Sequence, residues 1–296
     1  GLSGADLAAR LDAPREETVP NPWYFAGGFA FVALTLVIGL SDIAYSQELV
    51  FAGSMAIVLF LLRRLIAELD TAQARALVGT AIIIFVFRAV PLPGPGATWF
   101  EIDVLGFDQQ FISVLTLLTS VLTLVGMVVL RPLMAARSIS YIVVLLTLAA
   151  GVLSLPNIGL YYGVHHWTAA MTSGIVDARF IALIDTAIES PLGQVAMIPM
   201  LAWIARNAPA NLKATFFAVM ASFTNLALSA SSLLTKYLNQ LFVVTREVRD
   251  AATGTVTVAA NYDELGWLLI VVASLAVLAP LITIAVIQNT MLRTEE

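Results

Sequence analysis

The sequence predicts an all-α integral membrane protein, a helical bundle of about eight transmembrane helices. Two observations carry that expectation. The 296 residues are 59% apolar and only 12% charged, whereas soluble domains run nearer half apolar and a quarter charged. The excess is also gathered into runs of roughly 20 residues, the length that crosses a bilayer as a helix. The loops between the runs are short, which suits antiparallel neighbours in a compact bundle.

Taken in order, residues 1–20, "GLSGADLAARLDAPREETVP", read as a cytoplasmic linker. With no initiator Met the chain reads as a fragment of a longer protein. Span one covers 23–40 and span two 49–65, a two-helix membrane hairpin within 21–70. Six more spans fill 71–296. Span three starts at Ala76 and runs into "VPLPGPG". From Ala76 to Val90 is about 22 Å of helix, too short for a hydrocarbon core of about 30 Å. That helix must therefore break, with "ATWFEIDVLGF" completing the crossing. Span four is 111–130, span five 139–155, span six 179–206, span seven 214–242 and span eight 265–287. The polar segment 243–262, "VVTREVRDAATGTVTVAANY", alternates Val with Thr around a Thr-Gly turn and predicts a small hairpin outside the membrane.

Lys and Arg in short loops set orientation. With residues 1–20 inside and alternation thereafter, the inner side receives Arg10, Arg15, Arg63, Arg64, Arg75, Arg131, Arg137, Arg206, Lys213 and Arg293, ten of the fifteen basic residues. Arg246 and Arg249 fall outside. The outer loops are acidic, with Asp42, Glu48, Glu101, Asp103 and Asp108 among others. Both termini are thus expected in the cytoplasm.

Polar residues at membrane depth are the functional candidates. In span six, Asp185 and Glu189 stand four residues apart on one helical face. If Arg206 marks the inner edge, Glu189 lies about 25 Å and Asp185 about 31 Å above it. A water-filled cavity reaching the outer end would serve both; a helix tip that overshoots the bilayer is the plainer alternative. Pro191 and Pro199 weaken that helix, and such breaks are tolerated where neighbours or a cavity satisfy the freed groups. Arg88 lies about 20 Å along the helix from Arg75. A guanidinium there costs at least about 2.5–3.5 kcal/mol, so it should face the bundle interior, paired or hydrated. Asp185 or Glu189 could be its partner. Discontinuous helices are also where transporters place substrate sites. Asn225 sits mid-depth in span seven with Ser222, Ser229 and Ser232 at helical spacings, a pattern that interhelical hydrogen bonding alone would explain. Lys236 should snorkel to the outer surface. His165 and His166 lie beside Tyr161 and Tyr162, an aromatic interface belt more than a metal site.

Several chemistries are excluded. The net charge of −5 and the lack of a basic tract disfavour nucleic acid, and without cysteine there is no disulfide or thiolate metal site. No HExxH, GxSxG or P-loop occurs. The expectation is no enzyme, no cofactor and no metal.

Two stretches resemble the folate–biopterin transporter family, a branch of the major facilitator superfamily. One is "WFEIDVLGFDQQFISVL". The stronger is "DARFIALIDTAIESPLGQVAMIPMLAWIARNAPANLKATFFAVMASFTN", with Asp177 before a long helix, Gly193-Gln194, Met197 and Pro199, Pro209, and Ala214-Thr215. The resemblance spans roughly 76–290. Family members often carry Gly and Glu ahead of the Ala-Thr pair, where this chain has Asn211 and Lys213. The resemblance implies two six-helix halves. Spans three to eight would be the C-terminal half, spans one and two an added hairpin or the end of the first half, and a missing N-terminal half the other wall of the pathway. It implies a secondary transporter in the bacterial inner membrane, a symporter importing a folate- or pterin-like solute with protons. Arg88 would hold a substrate carboxylate or a pairing one, and Gln194 and Asn225 would hydrogen-bond a heterocycle. Glu189 and Asp185 would carry the coupling proton, Glu189 foremost because it lies a turn deeper and should be the better shielded. Transport of another organic anion or small metabolite, or a non-transporting assembly factor, are the alternatives.

Overall fold

A computed structural model describes residues 22–41, 43–132, 137–192 and 213–292. The protein is an all-α membrane bundle. Among the described residues seven helices are long and apolar enough to cross a bilayer. The sequence reading placed an eighth span over 179–206. Its described part is a helix to Glu189 and a short 3₁₀ turn, and residues 193–212 lie outside the described residues.

α1 (Pro22–Gly39) and α2 (Ser46–Ile66) pack against each other. α1 buries no residue within the chain, and Phe25 and Phe29 stay exposed, as befits a helix bathed in lipid. α3 (Thr71–Arg88) begins where Asp70 accepts hydrogen bonds from the backbone N–H groups of Ala72 and Gln73, both 2.9 Å. This N-cap satisfies donors that a helix start leaves open. It also starts the helix five residues before the sequence boundary, giving α3 18 residues, about 27 Å of rise.

α4 (Pro95–Asp103) follows the break at "PLPG". Gly94 supplies the turn with φ +78°, a conformation that only glycine adopts cheaply. Pro95 then opens α4 at the first helical position, where its missing N–H costs nothing. α5 (Gln109–Val129) is capped by Asp108, and α6 (Ile139–Tyr161) by Ser138. The sequence boundary stopped span five at 155, but α6 runs through Pro156 to Tyr161. In hydrocarbon no water competes for backbone groups, so losing one hydrogen bond at a proline costs less than ending the helix. α7 (Val164–Met171) is a short helix that carries His165 and His166; the sequence reading had a loop there. α8 (Ala178–Glu189) is capped by Asp177 and runs into the 3₁₀ turn Ser190–Leu192. α9 (Lys213–Leu241) and α10 (Leu265–Gln288) complete the helices.

The hairpin expected within 243–262 is present. β1 (Val248–Arg249) pairs antiparallel with β2 (Val256–Val258), and a bridge joins Thr245 to Asn261.

One core joins α2, α3 and α9 through residues such as Leu62, Leu65, Leu77, Ile84, Phe216 and Met220. The first hairpin is therefore built into the bundle by its second helix. α6 packs along α10, and Ile83 of α3 meets Val143, Ile284 and Ile287. α5 meets the 3₁₀ turn where Gly126 lies against the backbone of Pro191. Thr123 Oγ1 donates to the Ser190 carbonyl at 3.0 Å, fixing the end of α8 against α5.

Candidate functional site

The break after α3 frees backbone groups that lipid cannot satisfy. α9 satisfies them with three side chains at four-residue intervals, and so on one helical face. Ser231 Oγ donates to the Val90 carbonyl at 2.6 Å, the Leu92 N–H donates to Thr235 Oγ1 at 2.9 Å, and Asn239 Nδ2 donates to the Pro93 carbonyl at 3.2 Å. A Cβ at Gly94 would press on the Asn239 side chain, so glycine is needed there for space as well as for φ. The broken segment is thus held in one defined conformation.

Beside it lies a cavity of about 340 Å³ between the 90–105 segment, α6, the end of α8 and α10, within the size range of small-molecule sites. Its polar lining is Glu101, Ser154, Asn157 and Glu189; Leu153, Leu265 and Leu269 are among its apolar walls. Just behind, Asn157 Nδ2 donates to Asp185 Oδ2 at 3.0 Å. Asp185 is only 6% exposed, and its Oδ1 is buried with no described hydrogen-bond partner. A second cavity of about 580 Å³ opens between the start of α2 and the outer part of α9. Its two charged residues engage each other, Lys236 Nζ to Glu48 Oε1 at 2.7 Å, which leaves it less charge for a ligand.

The sequence candidates separate here. Glu189 lines the cavity and is exposed; Asp185, a turn earlier, is buried against α6. This reverses the expected order of shielding. α8 ends at Glu189, where a 3₁₀ turn follows, while Asp185 faces a neighbouring helix. Arg88 closes α3, half-buried, with Nε buried and without a hydrogen-bond partner. It makes no ion pair with a described carboxylate and does not line the cavity. Cβ atoms tilt toward a helix's N-terminus, so its side chain starts back along α3, away from the 90–105 segment. Asn225 is exposed on α9 and outside both cavities. Gln194 lies outside the described residues.

Glu101, Ser154 and Asn157 were not foreseen. Glu101 had been placed in an outer loop. Asn157 would have stood out as a lone amide in an apolar span had span five been continued past Pro156.

Polar ties beyond the spanning helices hold the cavity's rim. Asp103, at the end of α4, accepts from Arg246 Nε at 2.9 Å and Nη2 at 2.7 Å, and from the Tyr262 hydroxyl at 2.7 Å. The Arg246 hydrogen bonds first, then that of Tyr262, hold the Asp103 carboxyl below its usual range. Burial, then the bond to Asp103, pushes the Tyr262 phenol up to about 12. Arg179, at the start of α8, donates to the Gly106 carbonyl at 3.0 Å and to Asp108 at 2.8 Å. The Phe111 backbone N–H, then Arg179, keeps the Asp108 carboxyl below its usual range. The stretch just after Glu101 is thereby tied to the 243–262 segment at Asp103 and to α8 at Gly106 and Asp108.

Comparison with known proteins gives two matches. A family model described as the BT1 family matches residues 47–295. A protein named Folate-biopterin transporter from Synechocystis sp. (strain ATCC 27184 / PCC 6803 / Kazusa) is 28% identical over 204 residues, which is 68% of this chain and 36% of that protein. The chain thus spans about a third of the length of the relative it matches. No solved structure matches it.

Proposed function

The chain belongs to the BT1 family, and on that premise we propose that it is part of a proton-coupled secondary transporter that imports a folate- or pterin-like solute. Family membership and seven spanning helices already make it a multi-pass membrane protein of a transporter family. The finer reading rests on one observation, a cavity beside a broken helix with carboxylates at its wall and just behind it. The relative's printed name supplies the solute class. The carrier works without chemical conversion of its cargo.

The proton sites are Glu189 and Asp185. Glu189 faces the cavity and exchanges protons with its contents. Asp185 receives a proton on its unpartnered Oδ1, where the proton would supply the missing hydrogen-bond interaction. Asn157 joins the two by lining the cavity and holding Asp185. Arg88 holds a carboxylate of the solute, or a pairing one, at a point outside this cavity. Asn225, on α9, and Gln194 hydrogen-bond the heterocycle, and a further set of spans in the same protein supplies the other wall of the pathway. Residues 71–296 then form one six-helix half of a major facilitator bundle, residues 21–70 a hairpin added to it, and residues 1–20 a cytoplasmic linker. The protein sits in the bacterial inner membrane with both ends in the cytoplasm. Uptake of labelled folates and pterins into proteoliposomes, with and without a pH gradient, tests the reading.

A further inference from the structure

The cavity's charged groups are all acceptors. Glu101 and Glu189 line it without a hydrogen bond or ion pair from any described residue to their side chains. Asn157 has engaged one of its two amide N–H groups with Asp185, which leaves its carbonyl oxygen and one N–H. The Ser154 hydroxyl donates to the Gly151 carbonyl at 2.8 Å, so only its lone pairs remain. From Pro91 to Pro93 the backbone offers no free donor. Pro91 and Pro93 have no N–H, and the Leu92 N–H is taken by Thr235. No Lys, Arg or His is among the described lining residues. A carboxylate or phosphate of the solute would meet two like charges there and no described cation.

We infer that this cavity takes an edge of the solute bearing adjacent N–H donors, such as the ring N–H and exocyclic amine of an amino-oxo heterocycle, and that Glu101 is the specificity-determining residue that receives it. Two parallel N–H groups match the fork of a carboxylate, the geometry that makes bidentate pairs strong. Glu101 stands on α4, which is tied at Asp103 and flanked by the fixed break, so its position is set before a ligand arrives. Ala150, Ala273 and Ala276, with Leu153 and Leu269, give apolar walls of small side chains that admit a flat ring. Acidic groups of the same solute must be handled elsewhere. The inference rests on the transport reading for its solute class, but its recognition chemistry comes from the cavity alone.

The test is equilibrium binding to the full protein purified in detergent. The probes are labelled 2-amino-4-oxopteridine and 4-oxopteridine, which lacks the amine. Removing hydrogen bonds to a charged acceptor should weaken binding roughly tenfold to a hundredfold. The native protein should therefore prefer the amino compound by that factor, and Glu101→Gln should bring that preference down to near unity. Competition by benzamidine, a charged planar amidine, identifies the recognised edge as cationic; failure to compete identifies it as a neutral ring. Equal binding of the two pteridines by the native protein overturns the inference without recourse to any variant, as does an undiminished preference in Glu101→Gln. Binding of the amino compound without uptake would count against the transport reading alone, while uptake indifferent to the amine would count against the assignment of Glu101 alone.

Discussion

Replacing Ser231 by Ala removes the only side-chain donor shown to reach the Val90 carbonyl, at 2.6 Å. Ser231 is buried, 7% exposed, and the change deletes one oxygen, so lost packing is a minor part of the effect. Interhelical hydrogen bonds in membranes average about 0.6 kcal/mol and reach about 1.7, while leaving a buried backbone acceptor unpaired costs about 1–3 kcal/mol. The Val90 carbonyl lies past the end of α3, just before Pro91, and accepts from no backbone N–H among the described residues, which favours the upper end of the membrane range. A loss of about 1–2 kcal/mol follows, or a fall of several degrees in apparent Tm at about 2–4 °C per kcal/mol. Ser232→Ala is the control. Its exposed hydroxyl bonds only the Leu228 carbonyl of its own helix, so its effect should stay within about 0.5 kcal/mol. Thermal unfolding of both variants in the same detergent decides the matter. Equal midpoints for Ser231→Ala and Ser232→Ala would refute the claim that α9 holds the break in place.

Other outcomes follow from the same geometry. Asp103→Asn should expose the 243–262 hairpin to limited proteolysis. A carboxyl held below its usual range stabilises above its unfolded pKa and loses that contribution as pH falls through the folded value, so protection in the native protein should persist near neutrality and fade below about pH 4. Tyr262 works the other way: its raised pKa stabilises the neutral phenol, and that contribution should be lost as pH climbs from about 10 toward about 12. With no native cysteine, Thr253→Cys should react with an impermeant thiol reagent on intact cells while Glu68→Cys should not; the reverse pattern would invert the topology. Arg88→Gln should raise KM for solutes that carry a carboxylate and leave KM unchanged for those that lack one.

The spans were legible because lipid imposes a simple rule, about 20 apolar residues for each crossing. The break in α3 was legible for the same reason, since the apolar run is too short and ends in "PLPGPG". The outer hairpin showed in its alternating Val and Thr. The site was harder to see. Periodicity could place Asp185 and Glu189 on one face, but their shielding depends on α6 packing against one and α8 ending at the other. Glu101 resembled any outer-loop acid until α4 folded back over the bundle. The stripe of Ser231, Thr235 and Asn239 was overlooked in favour of Ser222, Ser229 and Ser232, because both sets have helical spacing and only the position of the broken segment chooses between them. Pro156 ended a span in the sequence reading because proline breaks helices in water, a rule that weakens where water is absent.

Accumulation against a gradient tests the proton-coupled reading most directly. The full protein is reconstituted into vesicles, and labelled folates and pterins are offered with the interior held more alkaline. Solute should concentrate inside only while the pH difference persists. Glu189→Gln and Asp185→Asn should each abolish that accumulation yet still exchange labelled for unlabelled solute. Accumulation that ignores the pH difference, or that survives in both variants, would contradict proton coupling through this pair of carboxylates.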